Sequence, residues 1–153
     1  MKAMIVCVSV SHGNTQKVAD VMGHVLEAPV VTPEQVDTAE LSACDLVGFG
    51  SGIFSMSFHP GLRRFVRALP REQRRKAFVF ATSGFPEPPF RPYTRPLTGL
   101  LEQKGFEVVG SFSCRALDTW FPFKPVGGVR KGRPDAADLV AARTFAEGLR
   151  APE

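Results

Sequence analysis

The chain has 153 residues, the size of one ordinary domain, and a chain of that length buries roughly two-thirds of the surface its unfolded form exposes. Hydrophobic residues make up 44% and charged residues 22%, a globular balance, and no apolar stretch approaches the ~20 residues needed to cross a bilayer. The formal charge is only +4, and its densest source, Arg63, Arg64, Arg67, Arg71, Arg74, Arg75 and Lys76, spans a helix end and the following turn, which reads as a solvated face and not as a nucleic-acid surface.

Residues 3–10 form a continuous apolar run, the pattern of a strand buried on both faces. The start of the chain has the basic and apolar parts of a signal peptide, but the run breaks at His12-Gly13-Asn14 without a small-residue cleavage site. The expectation is therefore a cytoplasmic protein whose first strand lies in its core. Val18, Met22, Val25 and Leu26 then recur at helical spacing after an Asn14-Thr15 start suited to capping. Residues 28–31 give a short strand, and 34–44 are amphipathic without a clear period. A third strand covers 45–51. Leu62, Phe65, Val66 and Leu69 mark a helix bounded by Pro60 and Pro70.

A fourth strand covers 76–82. Leu97, Leu100 and Leu101 mark a helix closed by Gly105. A fifth strand covers 106–114, and a Pro, Gly and aromatic-rich loop, 115–134, leads to a last helix carrying Leu139, Ala142, Phe145 and Leu149. Strict alternation of strands and helices predicts an α/β domain over 1–153, with a doubly wound, five-stranded parallel sheet in the order 2-1-3-4-5 and helices on both faces.

Such a sheet binds ligands beyond the carboxyl ends of its strands, where the strand order reverses. Three stretches fall there. After strand one, Ser9-Val10-Ser11-His12-Gly13-Asn14-Thr15 offers hydroxyls, a glycine and the positive end of a helix dipole, which together make an anion cradle. The same residues also suffice for an ordinary capped helix start. The loop has no lysine and matches neither GxxxxGK[ST] nor GxGxxG, which argues against a nucleoside triphosphate and against a Rossmann dinucleotide site. After strand three come Gly52, Ile53 and Phe54, and after strand four Thr82, Ser83 and Gly84.

His12-Gly13-Asn14-Thr15, between an apolar strand and a helix, resembles the phosphate loop of the flavodoxin family, T/S-x-T-G-N-T. Gly13, Asn14 and Thr15 match it, while Val10 and His12 stand where the family often has hydroxyl residues. The resemblance runs over essentially the whole chain. The tail, residues 112–120 with Gly127-Gly128 and Gly132-Arg133-Pro134, is similar to a subgroup of flavodoxin-domain proteins. It implies a flavodoxin-like fold with non-covalent FMN. Ser9, Ser11, His12, Gly13, Asn14 and Thr15 would face the phosphate, Gly52, Ile53 and Phe54 the ring, and Thr82, Ser83 and Gly84 its pyrimidine edge.

On that reading no side chain is catalytic, and the protein passes electrons between a redox partner protein or a small acceptor and the flavin. Two other readings stand beside it: a small-substrate, quinone-type NAD(P)H-dependent FMN reductase, and a regulatory or binding module that has lost the flavin. The loss of hydroxyls at 10 and 12 favours the module, and the intact Gly13-Asn14-Thr15 favours a flavin. His59 before Pro60 reads as a helix cap or as an edge of the flavin pocket, and Asp118-Thr119-Trp120 either closes over the cofactor or covers the sheet edge. His12, His24 and His59 lack the spacing of a zinc site. Cys7, Cys44 and Cys114 read as free thiols.

Overall fold

The computed structural model describes residues 1–9, 14–54, 57–71, 75–83, 94–115 and 136–150, and for 14, 53, 54, 57, 83, 114 and 115 the backbone only. The elements run β1 (Ala3–Val8), α1 (Asn14–Leu26), β2 (Val30–Val31), a 3₁₀ turn (Pro33–Gln35), α2 (Thr38–Ser42), β3 (Leu46–Phe54), β4 (Ser57–Phe58), α3 (Pro60–Ala68), β5 (Arg75–Ser83), α4 (Thr94–Gln103), β6 (Phe106–Arg115) and α5 (Ala136–Arg150). The parallel strands lie in the order β2-β1-β3-β5-β6, the doubly wound arrangement expected from the alternation. The short β4 is an addition to it. It folds back antiparallel on β3, pairing Ile53 with Phe58 and Phe54 with Ser57.

The period of two in the buried strands sorts their side chains onto two cores. Met4 and Val6 of β1 join Phe49, Val79, Leu62, Val66, Leu97 and Leu101 on the face covered by α3 and α4. Ala3, Ile5 and Cys7 join Phe78, Phe80, Val18, Met22, Ala142 and Ala146 on the face covered by α1 and α5. On that second face two rings of β5 lie across β3. Phe78 is in register with Gly48 and Phe80 with Gly50, and a Cβ at Gly50 would stand 2.2 Å from carbons of the Phe80 ring. The glycines are holes into which the rings fit. Phe145 of α5 closes over Phe78, with ring centroids 6.0 Å apart.

Two strands outrun their sequence-based limits at the carboxyl end. β3 continues to Phe54 because Gly52 pairs with Thr82 on one side and Ile53 with Phe58 on the other. β5 continues to Ser83, paired with Arg115. The open segment 34–44 divides into two short pieces, each with its own local cap. Gln35 Oε1 accepts from Thr32 N at 2.9 Å, and Asp37 Oδ1 accepts from Ala39 N at 2.9 Å.

Candidate functional site

The strand order reverses between β1 and β3, so the crevice beyond these two strands is the natural ligand position. Register builds it. Val8 stands beside Ser51, and Gly52 beside Thr82. Helix α1 begins directly beyond β1 and brings Thr15 over the same point. Thr15 Oγ1 and Thr82 Oγ1 are 2.7 Å apart across 67 residues of sequence, and both residues are almost fully buried, at 2% and 4% exposure. Gly52 faces this pair without a side chain: a Cβ there would meet Thr15 Oγ1 at 3.7 Å and Thr82 Oγ1 at 3.8 Å, ordinary contact distances.

Around the pair the backbone ends are satisfied by hydroxyls and one imidazole. Ser9 Oγ accepts from Gln16 N at 3.2 Å, capping α1 from the end of β1 and keeping its own proton for another acceptor. Ser51 Oγ donates to Gly52 O at 2.8 Å and accepts from His59 N at 3.0 Å, which ties the turn after β4 back to β3. His59 is the N-cap of α3, its Nδ1 accepting from Gly61 N at 2.9 Å. Of its two sequence readings, capping is the one observed.

The described part of this end carries hydroxyls and no negative charge. α1 has thirteen residues and no acidic residue in its first turn, and none of residues 9, 14–17, 51–54, 57–61 or 81–83 is acidic. A negative group placed there would meet the positive end of a helix dipole and hydroxyl protons, with no carboxylate in those segments to repel it. Of the twelve residues singled out from sequence, the structure brings Ser9, Thr15, Gly52 and Thr82 together with full side-chain detail. Asn14, Ile53, Phe54 and Ser83 are placed here by backbone. Ser11, His12, Gly13 and Gly84, like residues 118–120, lie outside the described residues.

Sequence reasoning missed Ser51 as the link between β3 and α3. A Gly-Ser-Gly strand end is too common a pattern to single it out, and its partner lies eight residues on. The two thiols described in full, Cys7 and Cys44, make no hydrogen bond to these groups. Burial, with the nearby Asp20 charge, pushes the Cys7 thiol from its usual value near 9.0 up to about 12. Burial also raises Cys44, against the pull of Lys2 and Arg75. Both are free. Two clefts among the described residues lie elsewhere. One of about 560 Å³ at the amino end of the sheet is lined by Lys2, Glu27, Glu40, Cys44 and Arg150 among others. One of about 420 Å³ between α1 and α5 is lined by residues including His24, Leu139 and Arg143. No helix among the described residues is long and apolar enough to cross a membrane.

A family model described as a flavodoxin domain matches residues 5–110. An uncharacterised protein of Methanocaldococcus jannaschii is 34% identical over 149 residues, covering 97% of this chain and 98% of its own length. Among solved structures, oxidised flavodoxin 2 from Bacillus cereus superposes with a TM-score of 0.71 at 19% identity, covering 98% of both chains. An NADH:FMN oxidoreductase in its apo form does so with a TM-score of 0.64 at 17% identity, covering 100% of this chain and 92% of that one.

Proposed function

The chain belongs to the flavodoxin domain family, and on that premise we propose that it binds FMN non-covalently beyond β1, β3 and β5 and carries electrons through it. The observation that carries the reading is the convergence of the α1 N-terminus, the Thr15–Thr82 hydroxyl pair and the bare face of Gly52 at the reversal point of the sheet. These residues fit a flavin mononucleotide. The N-terminal turn of α1, with Ser9, Ser11, His12, Gly13, Asn14 and Thr15, suits a terminal dianionic phosphate. Gly52, Ile53 and Phe54, with Thr82, Ser83 and Gly84, would flank the ring through backbone groups and one aromatic side chain. Val10 and His12 supply fewer hydroxyls than the family pattern, so backbone N–H groups carry more of the phosphate binding.

Bound flavin supplies transfer of one or two electrons; the protein binds it, orients it and sets its surroundings. Arg64, Arg67 and Arg71 are exposed on α3 and at its exit, and a basic face suits an acidic redox partner. We assign electron supply to such a partner and not to a nicotinamide, because no recognisable nucleotide-phosphate motif accompanies the site.

The purified chain should be yellow and release FMN on denaturation, identified by chromatography. Recovery of FAD would overturn the cofactor assignment, and a colourless protein that takes up no added FMN would leave the flavin-free module in its place. Anaerobic stopped-flow mixing with NADH or NADPH should leave the flavin oxidised over seconds. Saturable reduction on that timescale would put the quinone-type reductase first.

A further inference from the structure

The Thr15–Thr82 pair carries a proton count that the family pattern does not contain. Each hydroxyl has one proton and can accept as well as donate. The 2.7 Å bond between them uses one proton, so one hydroxyl donates it and the other keeps its own. Both side chains are almost fully buried, and neither has a second hydrogen-bond partner among the described residues. A buried hydroxyl proton without an acceptor is costly, and this one lies at the positive end of α1, where an anion is favoured.

An anionic oxygen only accepts. If Thr15, in the first turn of α1, gives its proton to that oxygen, then Thr82 must be the donor within the pair. We infer that Thr82 is a positioning residue. Its hydroxyl donates to Thr15 Oγ1, fixes the rotor of Thr15 and aims the Thr15 proton at the cofactor phosphate, so that the chain runs Thr82 to Thr15 to phosphate. Accepting a bond polarises the Thr15 hydroxyl and strengthens the bond it donates. Thr82 acts through Thr15 and does not touch the flavin with its side chain. Gly52 matters to the arrangement because a side chain there would stand against both hydroxyls, at 3.7 and 3.8 Å.

The inference rests on FMN as the ligand, and the test separates the two. Flavin titration of the full chain, followed by flavin fluorescence, is run with FMN and with riboflavin, which lacks the phosphate. If the wild-type chain binds neither, the FMN reading itself falls. Thr15→Val removes a hydrogen bond to a charged group and should weaken FMN about 10- to 100-fold. Thr82→Val should weaken FMN about 3- to 10-fold and leave riboflavin unchanged. On the Thr15→Val background it should cost nothing more. Thr82→Ser keeps the hydroxyl and should restore FMN affinity, which a purely steric role would not require. Equal loss of FMN and riboflavin in Thr82→Val, or full additivity in the double variant, would overturn the inference by placing Thr82 against the ring or elsewhere in the fold.

Discussion

Strand β3 carries glycine at 48, 50 and 52, all on one face by the two-residue period, yet the three positions answer to two different demands. In the body of the sheet, Gly48 and Gly50 stand opposite Phe78 and Phe80, and the rings occupy the space where side chains would be. At the carboxyl end, Gly52 stands opposite Thr82, and the space beside it holds two hydroxyls at ordinary contact distance. The pairing is the same, but where a phenyl ring would continue the core a threonine ends it. The body of the sheet is closed by apolar packing; its end is lined by hydroxyls. A glycine in a buried strand therefore has no single meaning, and what lies across from it decides whether it serves the fold or a ligand.

Alanine substitution separates the two regions most sharply. Gly50→Ala forces a methyl to within 2.2 Å of the Phe80 ring carbons. The ring must leave its place or the strands must part, and overpacking of this severity costs about 3 kcal/mol or more. Gly52→Ala meets nothing closer than 3.7 Å, and alanine is a better strand residue than glycine, so its stability should match or slightly exceed that of the wild type. Its methyl does cover the hydroxyl pair, and FMN should bind more weakly. Urea unfolding of both variants, with flavin titration of Gly52→Ala, checks the contrast. Equal unfolding midpoints for the two would break it.

The same division explains what could be read from sequence. Continuous apolar runs betray strands buried on both faces, so a parallel sheet covered on both faces followed from the alternation, and the order 2-1-3-4-5 suited its five units. Gly105 closes α4 with a φ of 95°, as its type and place suggested. What escaped was short or non-local. β4 is two residues long, too brief for any period, and the pieces at 33–42 announce themselves only by caps such as Asp37. The bond between Thr15 and Thr82 spans 67 residues. Each threonine was picked out singly as facing the cofactor, but their contact depends on the registers of β1, β3 and β5 together, which no local pattern encodes.

Cys7 offers a second probe of the body of the sheet, through pH. Its thiol stays protonated up to about 12 when folded, whereas an unfolded thiol ionises near pH 9. Below 9 both states hold the proton and stability is unaffected. Above 9 only the folded state holds it, so stability falls as pH rises, by about 1.4 kcal/mol per pH unit. Over one and a half units that loss is about 2 kcal/mol. Urea unfolding at pH 8.0 and 10.5 should show the fall in the wild type and a shallower one in Cys7→Ala, other alkaline groups being common to both. Parallel slopes would mean that water reaches β1 at Cys7.

The smallest effect lies at the opposite end of the molecule from the hydroxyl pair. Helix α1 ends with Ala28 N donating to Gly23 O at 2.9 Å and Glu27 N to His24 O at 3.4 Å, the paired bonds that close a helix through one residue in the left-handed region. That residue is Glu27, with φ at 52°, where α4 uses Gly105. A side chain in this conformation is strained by about 1 kcal/mol, partly offset because glycine leaves the unfolded chain freer. Glu27→Gly should therefore stabilise the protein by about 0.5 kcal/mol, a rise of roughly 1–2 °C in Tm. Glu27→Ala keeps the Cβ and should gain nothing. Calorimetry of the two variants measures the difference, and flavin titration tests the division of labour: affinity for FMN should be unchanged in both, because relieving strain at the amino end of the sheet leaves the register of Gly52 with Thr82 as it was.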